Sequence, residues 1–207
     1  MKWGTAFADL DNDTWLDLIF VSGQVYPQVD SLPSGARYRQ PKEVFMNLGN
    51  GSFCDASQQA GAALKEPRVS RGVAVADLDN DGNVDVIVED LDGPPMVLHN
   101  QGIPGRHWVS FELAGTKSNR LAIGARLKIV AGGITQTEEV RSGGGYLSQH
   151  DLRVHFGLGS ATKIDSLEIR WPSGKVETLN NISADKFYAV LEGSGIVDRT
   201  KIVPAKK

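Results

Sequence analysis

Short apolar or alternating runs, separated by Gly, Pro and Asn turns, recur along the chain and predict strands. In the C-terminal half they are His107–Leu113, Ala125–Val130, Arg153–Phe156, Ser166–Trp171 and Phe187–Leu191. That spacing predicts a β-sandwich of seven or eight strands. In the N-terminal half the runs belong to a repeat. Gly4 to Phe20 reads GTAFADLDNDTWLDLIF and Gly72 to Val88 reads GVAVADLDNDGNVDVIV, identical at 10 of 17 positions. Each copy has an apolar lead-in, an acidic D-x-D-N-D-x-x-x-D core and a β-type exit, Leu18-Ile19-Phe20 or Val86-Ile87-Val88. An echo follows each, Val44-Phe45-Met46-Asn47-Leu48-Gly49 and Val97-Leu98-His99-Asn100-Gln101-Gly102, so the unit is strand, acidic loop, strand, connection, strand and Asn-x-Gly turn.

Charge sharpens this division. Residues 1–100 carry 15 Asp+Glu against 7 Lys+Arg, and residues 101–207 carry 10 against 15, which argues for two units of different chemistry. Eight of the 15 N-terminal carboxylates fall within the two loops, without one Lys or Arg among them. Four carboxylates in nine residues repel one another unless a cation is present. A hard cation such as Ca2+ takes six to eight oxygens from carboxylates and carbonyls in a flexible arrangement. Loop positions 1, 3, 5 and 9 supply Asp9, Asp11, Asp13 and Asp17 in the first copy, with the carbonyl of Trp15 at position 7. In the second they supply Asp77, Asp79, Asp81 and Asp85, with the carbonyl of Asn83. Position 6 is Gly82 in the second copy, suited to positive φ, but the β-branched Thr14 in the first, which predicts a distorted or weaker site. Neither loop is an EF-hand, because position 12 is Phe20 or Val88 where a bidentate Glu is required.

The D-x-D-x-D-G-x-x-D loop between apolar strands resembles the FG-GAP or VCBS repeat, a blade element of integrin-α-type β-propellers. The likeness covers roughly residues 1–102 and implies that the acidic loops bind Ca2+. Downstream, Asn119-Arg120, Ala122-Ile123-Gly124-Ala125-Arg126, the RSGGGYLSQ of 141–149, His155-Phe156-Gly157-Leu158-Gly159 and Trp171-Pro172-Ser173-Gly174 together resemble an ASPIC/UnbV domain. That domain closes members of the cartilage acidic protein family after a run of FG-GAP/VCBS repeats. The resemblance implies an all-β chain of partial β-propeller blades, 1–102, followed by a β-sandwich-like domain, 105–192; residues 193–207 remain as a C-terminal tail, of which Asp198–Lys207 reads as a loose terminus. About two repeats cannot close a propeller of four to eight blades. The sequence therefore reads as the C-terminal portion of a longer protein, with an open edge for missing blades or another chain.

Other chemistry is thin. A composition of 41% hydrophobic and 23% charged residues excludes wholesale disorder, and no run approaches the roughly 18 apolar residues of a membrane span. No secretory signal precedes Asp9, and the lone Cys54 excludes an internal disulfide. Scattered basic residues without a cluster argue against nucleic-acid binding. No nucleophile elbow, Walker loop or His-Glu-x-x-His is present, and His99, His107, His150 and His155 share no acidic neighbour at metal spacing. Gly143-Gly144-Gly145 is expected to pack backbone closely, Trp171 to sit in the core beside a hairpin turn, and His155 to be a satisfied core or rim residue. The connection Gly23–Lys42 mixes Tyr26, Arg37, Tyr38 and Arg39 with Pro and Ser, fitting either a contact surface or a packed propeller loop. Asn50-Gly51-Ser52 and Asn181-Ile182-Ser183 match the glycosylation acceptor pattern.

The leading expectation is a non-enzymatic, calcium-binding β-scaffold that meets an extracellular or periplasmic protein or glycan. Two alternatives make separable demands. Carbohydrate binding by the sandwich requires a flat exposed face bearing Trp108, Tyr146 or Trp171. An enzyme, or the accessory domain of a larger secreted one, requires a cleft with carboxylates beyond the eight loop aspartates, or a strongly perturbed histidine.

Overall fold

A computed structural model describes residues 1–91 and 93–202. The protein is all-β and divides into two units. The first comprises 1–10, 15–101 and 143–150; the second comprises 11–14, 102–142 and 151–207.

In the first unit, β1 (Lys2–Ala8), β2 (Asp17–Ser22), β3 (Glu43–Asn47) and β4 (Phe53–Asp55) form an antiparallel meander in that order. The second repeat gives β5 (Ser70–Ala76), β6 (Asp85–Asp90) and β7 (Met96–Leu98), a meander of three. Alternation in β1, β2, β5 and β6 buries Ala6, Ile19, Val21, Val73, Val75, Val86 and Val88 in one cluster. Burying each Val or Ile is worth ~1.5–3 kcal/mol. The hairpins β1–β2 and β5–β6 end in equivalent pairs, Ala8 opposite Asp17 and Ala76 opposite Asp85, so each acidic loop is held at the mouth of a ladder.

The connection 23–42 is tied down at both ends. Gln24 N–H donates to the Tyr38 carbonyl at 3.0 Å, Gln40 pairs with Arg68, and the buried Lys42 ammonium donates to the Glu66 carbonyl at 3.2 Å. Between these anchors lie a 3-10 turn, Pro27–Ser31, and an exposed stretch including Tyr26 and Leu32.

The second unit holds two four-stranded sheets. One runs β10 (Ile134–Glu139), β9 (Arg126–Ala131), β12 (Lys163–Arg170), β13 (Val176–Ser183). The other runs β11 (Val154–Gly159), β8 (His107–Ala114), β14 (Lys186–Leu191), β15 (Gly195–Val197), with β8 and β14 parallel. Val109, Phe111, Phe156 and Val190 from one sheet meet Leu127, Ile129, Ile164, Leu167 and Ile169 from the other in a single core. Trp171 joins that core at 3% exposure, and the hairpin turn after it closes by Gly174 N–H donating to its carbonyl at 2.9 Å. The expected loose tail is docked as far as Ile202, which is buried with Ala114 and Ala189, while Asp198 caps a 3-10 turn. The rest of that tail, 203–207, lies outside the described residues.

Candidate metal-binding loops

The two acidic loops follow one backbone course. Position 4 is left-handed in both, with φ of 56° at Asn12 and 62° at Asn80. Position 6 is too, with φ of 88° at Thr14 and 89° at Gly82. Thr14 adopts the glycine-like φ, so the expected difference between the loops is one of strain at this residue.

Carboxylates at positions 1, 3 and 5 converge. Asp9, Asp11 and Asp13 each offer an oxygen within 4.8 Å of the others, and so do Asp77, Asp79 and Asp81. Position 1 is buried in both copies, and the second loop wraps around it: Gly82 N–H donates to Asp77 Oδ2 at 2.9 Å, and Asp81 N–H to Oδ1 at 3.2 Å. In the first loop Asp11 Oδ1 is buried with no hydrogen-bond partner, and burial, with Asp13 alongside, raises the Asp11 carboxyl above its ordinary pKa. A buried anionic oxygen without a donor fits a cation. The donor set is oxygen-rich, as Ca2+ requires.

Position 9 has a different setting. Asp17 Oδ2 accepts from Leu10 N–H at 2.9 Å and its Oδ1 from Asn47 N–H at 2.8 Å. Asp85 repeats this with Leu78 N–H at 3.2 Å and Asn100 N–H at 2.8 Å. The Asn side chain completes the clamp, with Asn47 Nδ2 donating to the Leu16 carbonyl at 3.1 Å and Asn100 Nδ2 to the Val84 carbonyl at 3.2 Å. Asp17 and Asp85 thus fasten each loop to the third strand of its sheet, which explains why the Asn-x-Gly echo follows each acidic core. At position 7 the Trp15 ring lies against Gly49 of that turn, whereas Asn83 hydrogen-bonds Asp81 through its N–H and its side-chain amide.

His99 was not expected here. Its Nδ1 lies 3.1 Å from Asp85 Oδ1 and 3.9 Å from Asp79 Oδ2, so it does share acidic neighbours at metal spacing. No local motif announces it, because the ladder, not the sequence spacing, brings it to the loop. The first copy has Met46 at this place.

The remaining candidates fall elsewhere. Trp171 is in the core, Trp108 is half-buried between His155 and Phe187, and Tyr146 belongs to the first unit beside Trp3, so these aromatics form no platform on the sandwich. Burial lowers the pKa of His155 to about 4; its Nε2 faces Asn12 Oδ1 at 2.8 Å and its Nδ1 has no hydrogen-bond partner. It is a half-buried rim residue, hydrogen-bonded on one side of its ring only. A cavity of about 160 Å³ is lined by Arg39, Glu66, Arg68 and Asp90, but Arg68 pairs both carboxylates at 3.0 Å. Within the triple glycine the expected close packing falls on Gly144, where a Cβ would meet the His150 ring at 1.9 Å, and on Gly145, where it would lie 3.1 Å from the Thr5 carbonyl, whereas Gly143 faces open space.

Residues 34–88 match the FG-GAP-like repeat family and residues 115–197 match the ASPIC and UnbV family. The chain carries both modules. It is similar to cartilage acidic protein 1 of Xenopus tropicalis, 29% identical over 191 residues, and of Homo sapiens, 31% identical over 192 residues. Each alignment covers 89% of this chain and 27% of the relative, so the chain spans about a quarter of the length of these curated relatives.

The ASPIC/UnbV region contains a buried charge that sequence reasoning missed. Glu192 Oε2 accepts from three successive backbone N–H groups, Thr116, Lys117 and Ser118, each at 2.8 Å. Its Oε1 accepts from the hydroxyls of Ser118 and Ser173, both at positions adjoining or inside the motifs quoted above. Burial pushes this carboxyl up, but the Ser118, Ser173, Thr116 and Lys117 donors outweigh it and hold the group well below the usual carboxylate range. The signal was invisible because the nest joins three segments far apart in the chain.

Proposed function

We propose that this chain is a calcium-binding, non-enzymatic β-scaffold for interaction outside the cytoplasm. The observation that carries the reading is the convergence of carboxylates 1, 3 and 5 in both loops, together with the donorless Asp11 Oδ1. Asp9, Asp11 and Asp13, and Asp77, Asp79 and Asp81, would hold one Ca2+ per loop, with the carbonyls of Trp15 and Asn83 and a remaining lone pair of Asp17 or Asp85 as further oxygens. The ion is structural: it neutralises the loop and locks two strands of a blade. Modest affinity of ~10⁻⁴–10⁻³ M, usual for extracellular modules, suits a calcium-rich compartment, outside the cell or in the periplasm. The name of the relatives refers to cartilage. The partner is a protein or a glycan, met by exposed loop surface such as the stretch around Tyr26 and Leu32.

Calorimetric titration of Ca2+ into EDTA-stripped protein, with melts in each state, tests this. Binding is expected to stabilise by ~2.7 kcal/mol at about 100 times Kd. Asp79→Ala and Asp11→Ala should each remove one site. Absence of both heat and thermal shift in the intact chain rejects the calcium reading.

A further inference from the structure

We propose that Asn50 is a self-modification site, where the turn between β3 and β4 deamidates to aspartate and isoaspartate. Asn50-Gly51 is the one Asn-Gly pair in the sequence, and asparagine is a thermolabile residue. The turn closes by Leu48 N–H donating to the Ser52 carbonyl at 3.0 Å, and Asn50 is exposed at its tip. Asn50 Oδ1 accepts from Ser52 N–H at 3.0 Å and from the Ser52 hydroxyl at 2.6 Å. A side chain that accepts from the N–H two residues on is folded back toward the intervening peptide, the side of the turn that carries the Gly51 nitrogen. Two donors on Oδ1 draw electron density from Cγ and stabilise the oxyanion that attack would create. Gly51 has φ of 83° and nothing within 4 Å of the place a Cβ would occupy, so no side chain of its own or of a neighbour crowds this residue of the turn.

The step balances with water alone. The Gly51 nitrogen loses its proton to solvent and bonds to Asn50 Cγ. The Cγ–Nδ2 bond breaks, and Nδ2 takes up a proton and departs as ammonia, leaving a five-membered imide. Water then opens the imide at either carbonyl. Opening at Cγ yields aspartate, and opening at the main-chain carbonyl yields isoaspartate with one extra backbone carbon. Both products add a negative charge, and isoaspartate displaces the acceptor that Ser52 now uses. Neither acidic loop takes part, so the inference is independent of calcium.

The test is prolonged incubation of the full chain at body temperature and mildly alkaline pH, followed by peptide mass mapping and an isoaspartate assay. A gain of one mass unit at position 50, with isoaspartate, is expected to appear well before any change at Asn119 or Asn181, whose successors are Arg120 and Ile182. Gly51→Ala should slow it about tenfold or more, ~1.4 kcal/mol of barrier, and Ser52→Ala, which keeps the glycine, by a smaller factor. Modification no faster than at Asn119 and Asn181, or a rate untouched by both variants, overturns the proposal.

Discussion

Thr14 and Gly82 hold the same left-handed backbone one repeat apart, and only one of them is built for it. A non-glycine residue in such a region costs ~1–3 kcal/mol. Glycine loses ~0.5–1 kcal/mol more on folding through its looser unfolded chain. Thr14→Gly is therefore expected to stabilise by about 1 kcal/mol, seen as a rise of about 2–4 °C in Tm for a chain of this size. Gly82→Thr should do the reverse. A fall in Tm for Thr14→Gly would mean that contacts of the threonine side chain outweigh the strain. The acidic loops were legible in the sequence because their chemistry is local: nine consecutive residues carry the carboxylates and the turn. His99 and Glu192 were not, because their partners arrive through strand pairing and through loops more than 70 residues away.

Position 9 ties its loop to a neighbouring strand, and this separates clamp from metal experimentally. Removing an acceptor shared by two backbone N–H groups costs ~1–3 kcal/mol. Asp85→Asn or Asp17→Asn should lower Tm by that amount even in EDTA, whereas the exposed Asp79→Ala should leave the metal-free melt nearly unchanged. Equal melts for all three in EDTA would remove the clamp. The Glu192 nest makes an analogous claim about pH. A depressed carboxyl contributes stability that is fully present above the unfolded value, ~4.3, and is lost as pH falls through the folded value. His155 acts in a higher window: held neutral, it costs stability as pH falls from ~6.5 towards its folded value of about 4. Glu192→Gln should destabilise at neutral pH, and its Tm should depend less on pH below about 4 than that of the parent chain. Parallel Tm profiles in that range would sink this assignment. Central strands such as β8, β9 and β12 were readable because both faces or one full face are apolar. β10, β13 and β15 were missed because each is an edge strand, and edges carry polar residues such as Thr135, Gln136, Thr137 and Asn180 that blur the alternation.

At the scale of the molecule, the two units do not follow chain order, which no local pattern could reveal. Residues 143–150 belong with the blades, where Ser148 Oγ accepts from Val73 N–H at 3.0 Å and His150 Nδ1 from Val75 N–H at 3.3 Å. Tyr146 meets Trp3 there, with ring centroids 5.2 Å apart, and the Arg71 guanidinium lies 4.5 Å from the centroid of the Trp3 ring. A fragment ending at residue 102 therefore leaves two N–H groups along β5 without those acceptors, each worth ~1–3 kcal/mol where water cannot replace it. Such a fragment should melt well below the full chain, or fail to fold. A synthetic peptide spanning 141–151 should raise its melting temperature in a saturable way, while a peptide with Ser148→Ala and His150→Ala should not. A fragment 1–102 that melts with the parent and ignores the peptide would show that the segment merely lies against β5, and that the blades owe it nothing.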